Sequence, residues 1–155
     1  MYYTSVKLAM KSKLTEMGLV FTDRENVKEG NLFVGDSGAS CHMVHSKAGM
    51  YDLEDTNEKI TVGNGQTIKV EKIGKFRGYY VNEKGEKRKI VLHNVKLIPD
   101  LAPFNLFSIP TALTGGFSIG NIGKTIYLRK GNFKMMFDRE ILTRKGYLLG
   151  CKIIP

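Results

Sequence analysis

Three features of the sequence predict an all-β chain, a small closed or sandwich-like barrel. Apolar residues alternate with polar ones through most of the chain after residue 59, the period of a strand with one buried face. Turn-forming Gly, Asn and Pro punctuate that pattern at short intervals. Helical spacing is confined to two short places.

In chain order, Val6, Met10, Leu14 and Met17 fall on one face of an amphipathic helix over residues 4–17, stopped by Gly18. Residues 21–31 are polar and read as a linker, which divides the chain into an N-terminal helix with linker (1–30) and a β domain (31–155). The run Leu32-Phe33-Val34-Gly35-Asp36-Ser37-Gly38-Ala39-Ser40 reads as a buried strand ending in a tight turn. A polar stretch then extends to Glu58.

Ile60 and Val62, then Ile68 and Val70, alternate on either side of Gly63-Asn64-Gly65, a strong hairpin signal. Residues 73–81 form another strand, with Gly74 and Gly78 permitting bends or close backbone approach. Asn82-Glu83-Lys84-Gly85 makes a turn into a long strand over residues 89–98, closed by Pro99-Asp100. Residues 106–114 hold a short helix at most, with Ser108 as N-cap, Pro110 in the first turn and Gly115-Gly116 at the end. Residues 117–119, 125–128, 133–137 and 147–153 complete about nine short strands.

The 155 residues, 42% hydrophobic and 25% charged, suit one domain with an extension. No stretch approaches the roughly 20 apolar residues of a membrane span, and residues 1–7 lack the apolar core of a secretory signal. The expected setting is cytoplasmic and reducing, with Cys41 and Cys151 as buried thiols. The net charge is +9, and residues 121–155 carry eight Lys and Arg against Asp138 and Glu140. These cations are spread among strands, the pattern of a solvated face. With the Tyr79-Tyr80 pair they allow weak nucleic-acid binding by stacking and phosphate contact, although core and surface roles are the plainer reading.

Asp36-Ser37-Gly38-Ala39 carries the chemistry. A carboxylate at a buried strand end is costly unless it is hydrogen-bonded or shares a proton. An aspartic peptidase needs two such carboxylates, one as base toward water and one as acid toward the scissile carbonyl. The chain has no second Asp followed by a hydroxyl residue and Gly, so a two-fold homodimer would have to supply the second Asp36.

The residues then become more specific. Asp36-Ser37-Gly38-Ala39-Ser40-Cys41-His42-Met43, Val62-Gly63-Asn64-Gly65-Gln66-Thr67-Ile68 and Val70-Glu71-Lys72-Ile73-Gly74 follow one another in order. Leu92-His93-Asn94-Val95-Lys96-Leu97-Ile98-Pro99-Asp100-Leu101 and Phe104-Asn105-Leu106-Phe107-Ser108 come next. Over residues 32–150 this resembles the protease-region β-barrel of copia-type LTR retrotransposon Pol polyproteins, relatives of retroviral aspartic proteases.

The resemblance implies a closed retropepsin-like barrel and a homodimeric aspartic endopeptidase acting on its own Gag-Pol-like polyprotein. Asp36 would be the catalytic residue, and Ser37, Gly38 and Ala39 the active-site loop. Gly63, Asn64 and Gly65 would form the flap over a polypeptide substrate. The setting implied is the cytoplasm, within virus-like particles.

Two positions depart from the family pattern. Gly35 stands where Leu, Ile or Val is usual, which predicts looser packing just before the Asp. The strands after residue 124 extend beyond a minimal retroviral protease.

Cys41, His42 and His45 are the other cluster. Zinc needs three or four ligands, and nothing nearby completes such a set, so packing is the expected role and no metal or cofactor is called for. The alternative function from a different class is a catalytically inactive, retrotransposon-derived barrel used for assembly or RNA binding.

Overall fold

A computed structural model describes residues 31–61, 67–143 and 146–155. Among them the alternating runs become thirteen strands and very little helix. The order is β1 (Leu32–Asp36), β2 (Met43–Val44), β3 (Met50–Asp55), β4 (Lys59–Thr61), β5 (Thr67–Lys69), β6 (Lys72–Val81) and β7 (Lys87–Leu97). A 3-10 turn (Pro99–Leu101) leads to β8 (Asn105–Ser108) and helix α1 (Ile109–Thr114). Then come β9 (Ser118–Ile122), β10 (Thr125–Lys130), β11 (Phe133–Phe137), β12 (Arg139–Thr143) and β13 (Gly146–Ile154).

Six strands close a barrel in the order β13-β1-β8-β2-β7-β6, with β6 returning to pair with β13. The closing register is Lys152 to Val81, Ile153 to Tyr80 and Ile154 to Tyr79. Gly78 lets β13 come this near, because a Cβ there would lie 2.5 Å from the Ile154 carbonyl oxygen. β12 extends the sheet beside β13, and β3 extends it beside β6. β9–β11 form a separate three-stranded sheet, and β4 and β5 form a hairpin.

β1 runs parallel to β8, and β2 parallel to β7. Strands in parallel pairs are buried on both faces, which is why 32–34 and 106–107 read as unbroken apolar runs. The β6–β7 hairpin instead alternates, with Phe76, Tyr80 and Leu92 buried and Tyr79 and Val91 exposed. Its turn is built by Asn82, whose Oδ1 accepts from the backbone N–H of Lys84 and of Glu86.

One hydrophobic cluster takes a residue from every barrel strand: Phe33, Val44, Phe76, Val95, Phe107 and Ile153. Leu128, Met135 and Phe137 from β10 and β11, with Ile109 and Ala112 from α1, join the same cluster. A second cluster lies on the other face of β1, where Leu32 and Val34 meet Met43 and Leu106 under Ile60 and Ile68 of the hairpin. Cys41 and Cys151 are buried thiols, one in each cluster. Burial pushes the Cys151 thiol well up.

The all-β reading and the closed barrel hold. The expected helix over 106–114 is shorter, because 105–108 is strand β8 between β1 and β2. Its N-cap is Ser108 and its C-cap Gly115, as the sequence predicts. β2, β3, β8 and β12 bring the strands above the expected nine. β3 escapes a pattern reading because most of it is exposed and its pairing with β6 is interrupted between Tyr51 and Glu54. The expected N-terminal helix and linker (1–30) and the hairpin tip at Gly63, Asn64 and Gly65 lie outside the described residues.

Candidate active site

Asp36 is the last residue of β1, paired in register with Ser108 at the end of β8. It is only 3% exposed. The backbone N–H of Gly38 donates to Asp36 Oδ1 at 2.8 Å, a charge-assisted bond when the carboxylate is ionised. The turn therefore folds back on the carboxylate that begins it.

The loop after Asp36 is tied to the β8–α1 junction. Ser108 Oγ donates to the Ala39 carbonyl at 2.6 Å, and Thr111 Oγ1 donates to the Ser40 carbonyl at 3.1 Å. Thr111 N–H donates to Ser108 Oγ at 3.2 Å, the N-cap bond of α1. Thus one serine, itself fully buried, starts the helix and holds the loop.

His42 adds a third tie. Its Nδ1 accepts from the Ser108 backbone N–H at 3.0 Å, so the neutral ring carries its proton on Nε2. The ring lies 4.6 Å from that of Phe107, centroid to centroid. Burial, with the charge of His93 adding to it, lowers the His42 pKa to about 4.

Gly35 is not a loose spot. A Cβ at this position would lie 3.1 Å from the Phe137 ring and 3.5 Å from Ile109 Cδ1. Phe137 is 1% exposed and packs edge-on against Phe107 at 5.5 Å. The volume of a larger residue at 35 is filled from β11, which corrects the expectation of loosened packing.

Of the expected loop residues, Gly38 and Ala39 are buried and Ser37 is exposed. The hydroxyls that brace the loop are those of Ser108 and Thr111, which sequence reasoning did not assign to the site. Ser108 was legible as a helix cap and as the end of the Leu106-Phe107-Ser108 motif of the resemblance, but nothing local linked its hydroxyl to the loop after Asp36. The hairpin arms β4 and β5 cover the β1 face on which Leu32 and Val34 alternate with Asp36, through Ile60 and Ile68.

His45 Nδ1 lies 2.9 Å from Asn105 Oδ1, and the His45 backbone N–H donates to the same oxygen at 3.1 Å. His42 and His45 thus serve different partners. Among the described residues, no group of three or more His, Cys, Asp or Glu could hold a metal ion.

Residues 33–117, more than half of the chain, match the family model of the Pol polyprotein β-barrel domain. The chain belongs to this family. No curated protein and no solved structure matches it. The matched segment of this Pol β-barrel domain runs from the second residue of β1 through β8 and α1, and so holds all the ties around Asp36. β13, which closes the barrel, and Phe137, which fills the space at Gly35, come from beyond it. The chain is accordingly a β-barrel region of a retroelement Pol polyprotein.

Proposed function

We propose that this Pol β-barrel domain is an aspartic endopeptidase of the copia-type retrotransposon class, cleaving its Gag-Pol-like precursor as a homodimer. The observation that carries the reading is Asp36 itself, a carboxylate buried at a strand end and held by the Gly38 N–H at 2.8 Å. The surrounding ties from Ser108, Thr111 and His42 support it, since they hold the loop in one geometry.

One Asp36 from each copy would share a single proton across a two-fold axis. The ionised carboxylate takes a proton from water as its oxygen attacks the scissile carbonyl carbon, while the protonated one donates to the carbonyl oxygen. Collapse of the tetrahedral intermediate breaks the C–N bond, and the amine leaves with a proton from the dyad. The rate then follows a bell-shaped profile on the acidic-to-neutral side, with pKa values belonging to the pair. The residues around Asp36 require no metal or cofactor for this chemistry.

The test is self-cleavage of a longer precursor, with a peptide library as the second readout. Wild type should cleave and be blocked by a pepstatin-type inhibitor. Asp36→Asn should abolish cleavage while leaving the thermal unfolding transition cooperative. Equal processing by wild type and Asp36→Asn sinks the reading and favours a non-catalytic assembly or RNA-binding module.

A further inference from the structure

The outward face of β6 and β7 gathers cations of which three, Arg77, Lys87 and Lys89, meet no carboxylate among the described residues. With Phe76, Tyr80 and Leu92 turned into the barrel, the alternate positions Lys75, Arg77 and Tyr79 on β6 and Lys87, Lys89 and Val91 on β7 turn outward. The register sets Arg77 opposite Val91, Tyr79 opposite Lys89 and Val81 opposite Lys87. On the neighbouring β3, Tyr51 pairs with Lys75. The Arg77 guanidinium stacks over its ring at 3.9 Å from the centroid.

Carboxylates answer Lys75 on this face and several cations elsewhere. Among the described residues the ion pairs are Lys72–Asp55, Lys75–Asp52, Lys96–Glu58, Lys124–Glu140 and Arg139–Asp138. Arg77, Lys87 and Lys89 have no place in that set, although all three are exposed. They flank Tyr79, an aromatic ring left 45% exposed. Like charges gathered on one strand face repel, and an anionic partner relieves that repulsion.

We propose that this face binds single-stranded nucleic acid. Its chemistry has the two required parts. Tyr79 and the Arg77–Tyr51 stack are planar platforms, about 7 Å apart along the strand at Arg77 and Tyr79, on which unpaired bases stack. Lys87 and Lys89 lie one strand away, placed for phosphates. A duplex hides its base faces and leaves the rings unused. An acidic peptide engages the cations and leaves Tyr79 uncovered. The site is separate from the Asp36 loop, shares no residue with it, and does not depend on the peptidase reading.

Fluorescence anisotropy with labelled 12-nucleotide oligouridylate and oligothymidylate tests this. Wild type should bind with a slope of log K on log salt near −2, as about three phosphate contacts to a single strand give. Arg77→Glu/Lys87→Glu/Lys89→Glu should weaken binding at least tenfold. The equal charge change Arg129→Glu/Lys130→Glu/Lys134→Glu, on β10 and β11, should weaken it less than threefold. Tyr79→Ala should cost about fivefold or more with the salt slope unchanged, as loss of one stacked base requires.

Binding of both oligonucleotides, or of oligouridylate alone, supports the proposal. Equal losses in the two triple variants reduce the effect to net charge and overturn it. So does oligoglutamate competing as well as either oligonucleotide, or wild-type binding no tighter than millimolar. Should the triple variant of β6–β7 fail to fold, the neutral Lys87→Gln/Lys89→Gln variant must itself weaken binding about fivefold, and unchanged binding there overturns the proposal.

Discussion

The two faces of β1 hold the same strand by different physics. On one, Leu32 and Val34 alternate with Asp36 beneath the β4–β5 hairpin, and directional hydrogen bonds fix the turn that follows. On the other, Phe33 and Gly35 face the barrel core, where the rings of His42, Phe107 and Phe137 stand in a row. The polar face decides where the carboxylate points. The aromatic face decides where the strand lies, because Phe137 occupies the volume that a side chain at 35 would need. A buried carboxylate is thereby held by shape on one side and by hydrogen bonds on the other.

The sharpest way to break this arrangement is to remove the shape. Phe137→Ala should destabilise the fold by about 3–5 kcal/mol, the range for deleting a buried aromatic ring, read as a lower urea midpoint with an unchanged m-value. Gly35→Leu should cost about 1–3 kcal/mol by overpacking against the same ring. The double variant should lose less than the sum of the two, by at least about 0.5 kcal/mol, since each change makes room for the other. Strict additivity would mean that the two positions do not share one volume.

His42 belongs to both sides, with its ring in the aromatic row and its Nδ1 on Ser108. Its folded pKa of about 4 lies below the ordinary 6.5, so between those values the unfolded chain binds the proton and the folded chain does not. The stabilisation is therefore complete above pH 6.5 and disappears as pH falls through 4. The loss amounts to about 3 kcal/mol. Urea midpoints at pH 7, 5.5 and 4 should fall steeply for wild type and much less for His42→Gln. An equal slope in both would put the pH dependence elsewhere.

Much of this was legible in the sequence, and the missing parts share a cause. Alternation and Asn-Gly punctuation revealed β6, β7 and the hairpin arms, because each of those patterns is local. The run Leu32-Phe33-Val34 announced a strand buried on both faces, and Asp36 announced its end. The partners of that strand end were not legible. Ser108 lies 72 residues from Asp36 in sequence and is brought beside it by a parallel pairing, which leaves no hairpin signature. Phe137 looked like one more strand residue, and only the packing shows that it answers Gly35. β3 has an exposed face and an irregular register, so its periodicity is too weak to read.

The smallest expected effect isolates the polar side. Ser108→Ala removes the donor to the Ala39 carbonyl and the cap of α1 together, and should cost about 1–2 kcal/mol. Thr111→Val should cost about 0.5–1.5 kcal/mol, since only the Ser40 carbonyl loses its donor. The two hydroxyl oxygens lie 2.8 Å apart, so the double variant should depart from additivity by at least about 0.5 kcal/mol. Exchange of the Gly38 amide should quicken in Ser108→Ala more than global stability falls, because the loop loosens before the barrel opens. If Gly38 exchange instead tracks global unfolding in both proteins, the turn at Asp36 is held by the aromatic face alone, and the division of labour across β1 fails.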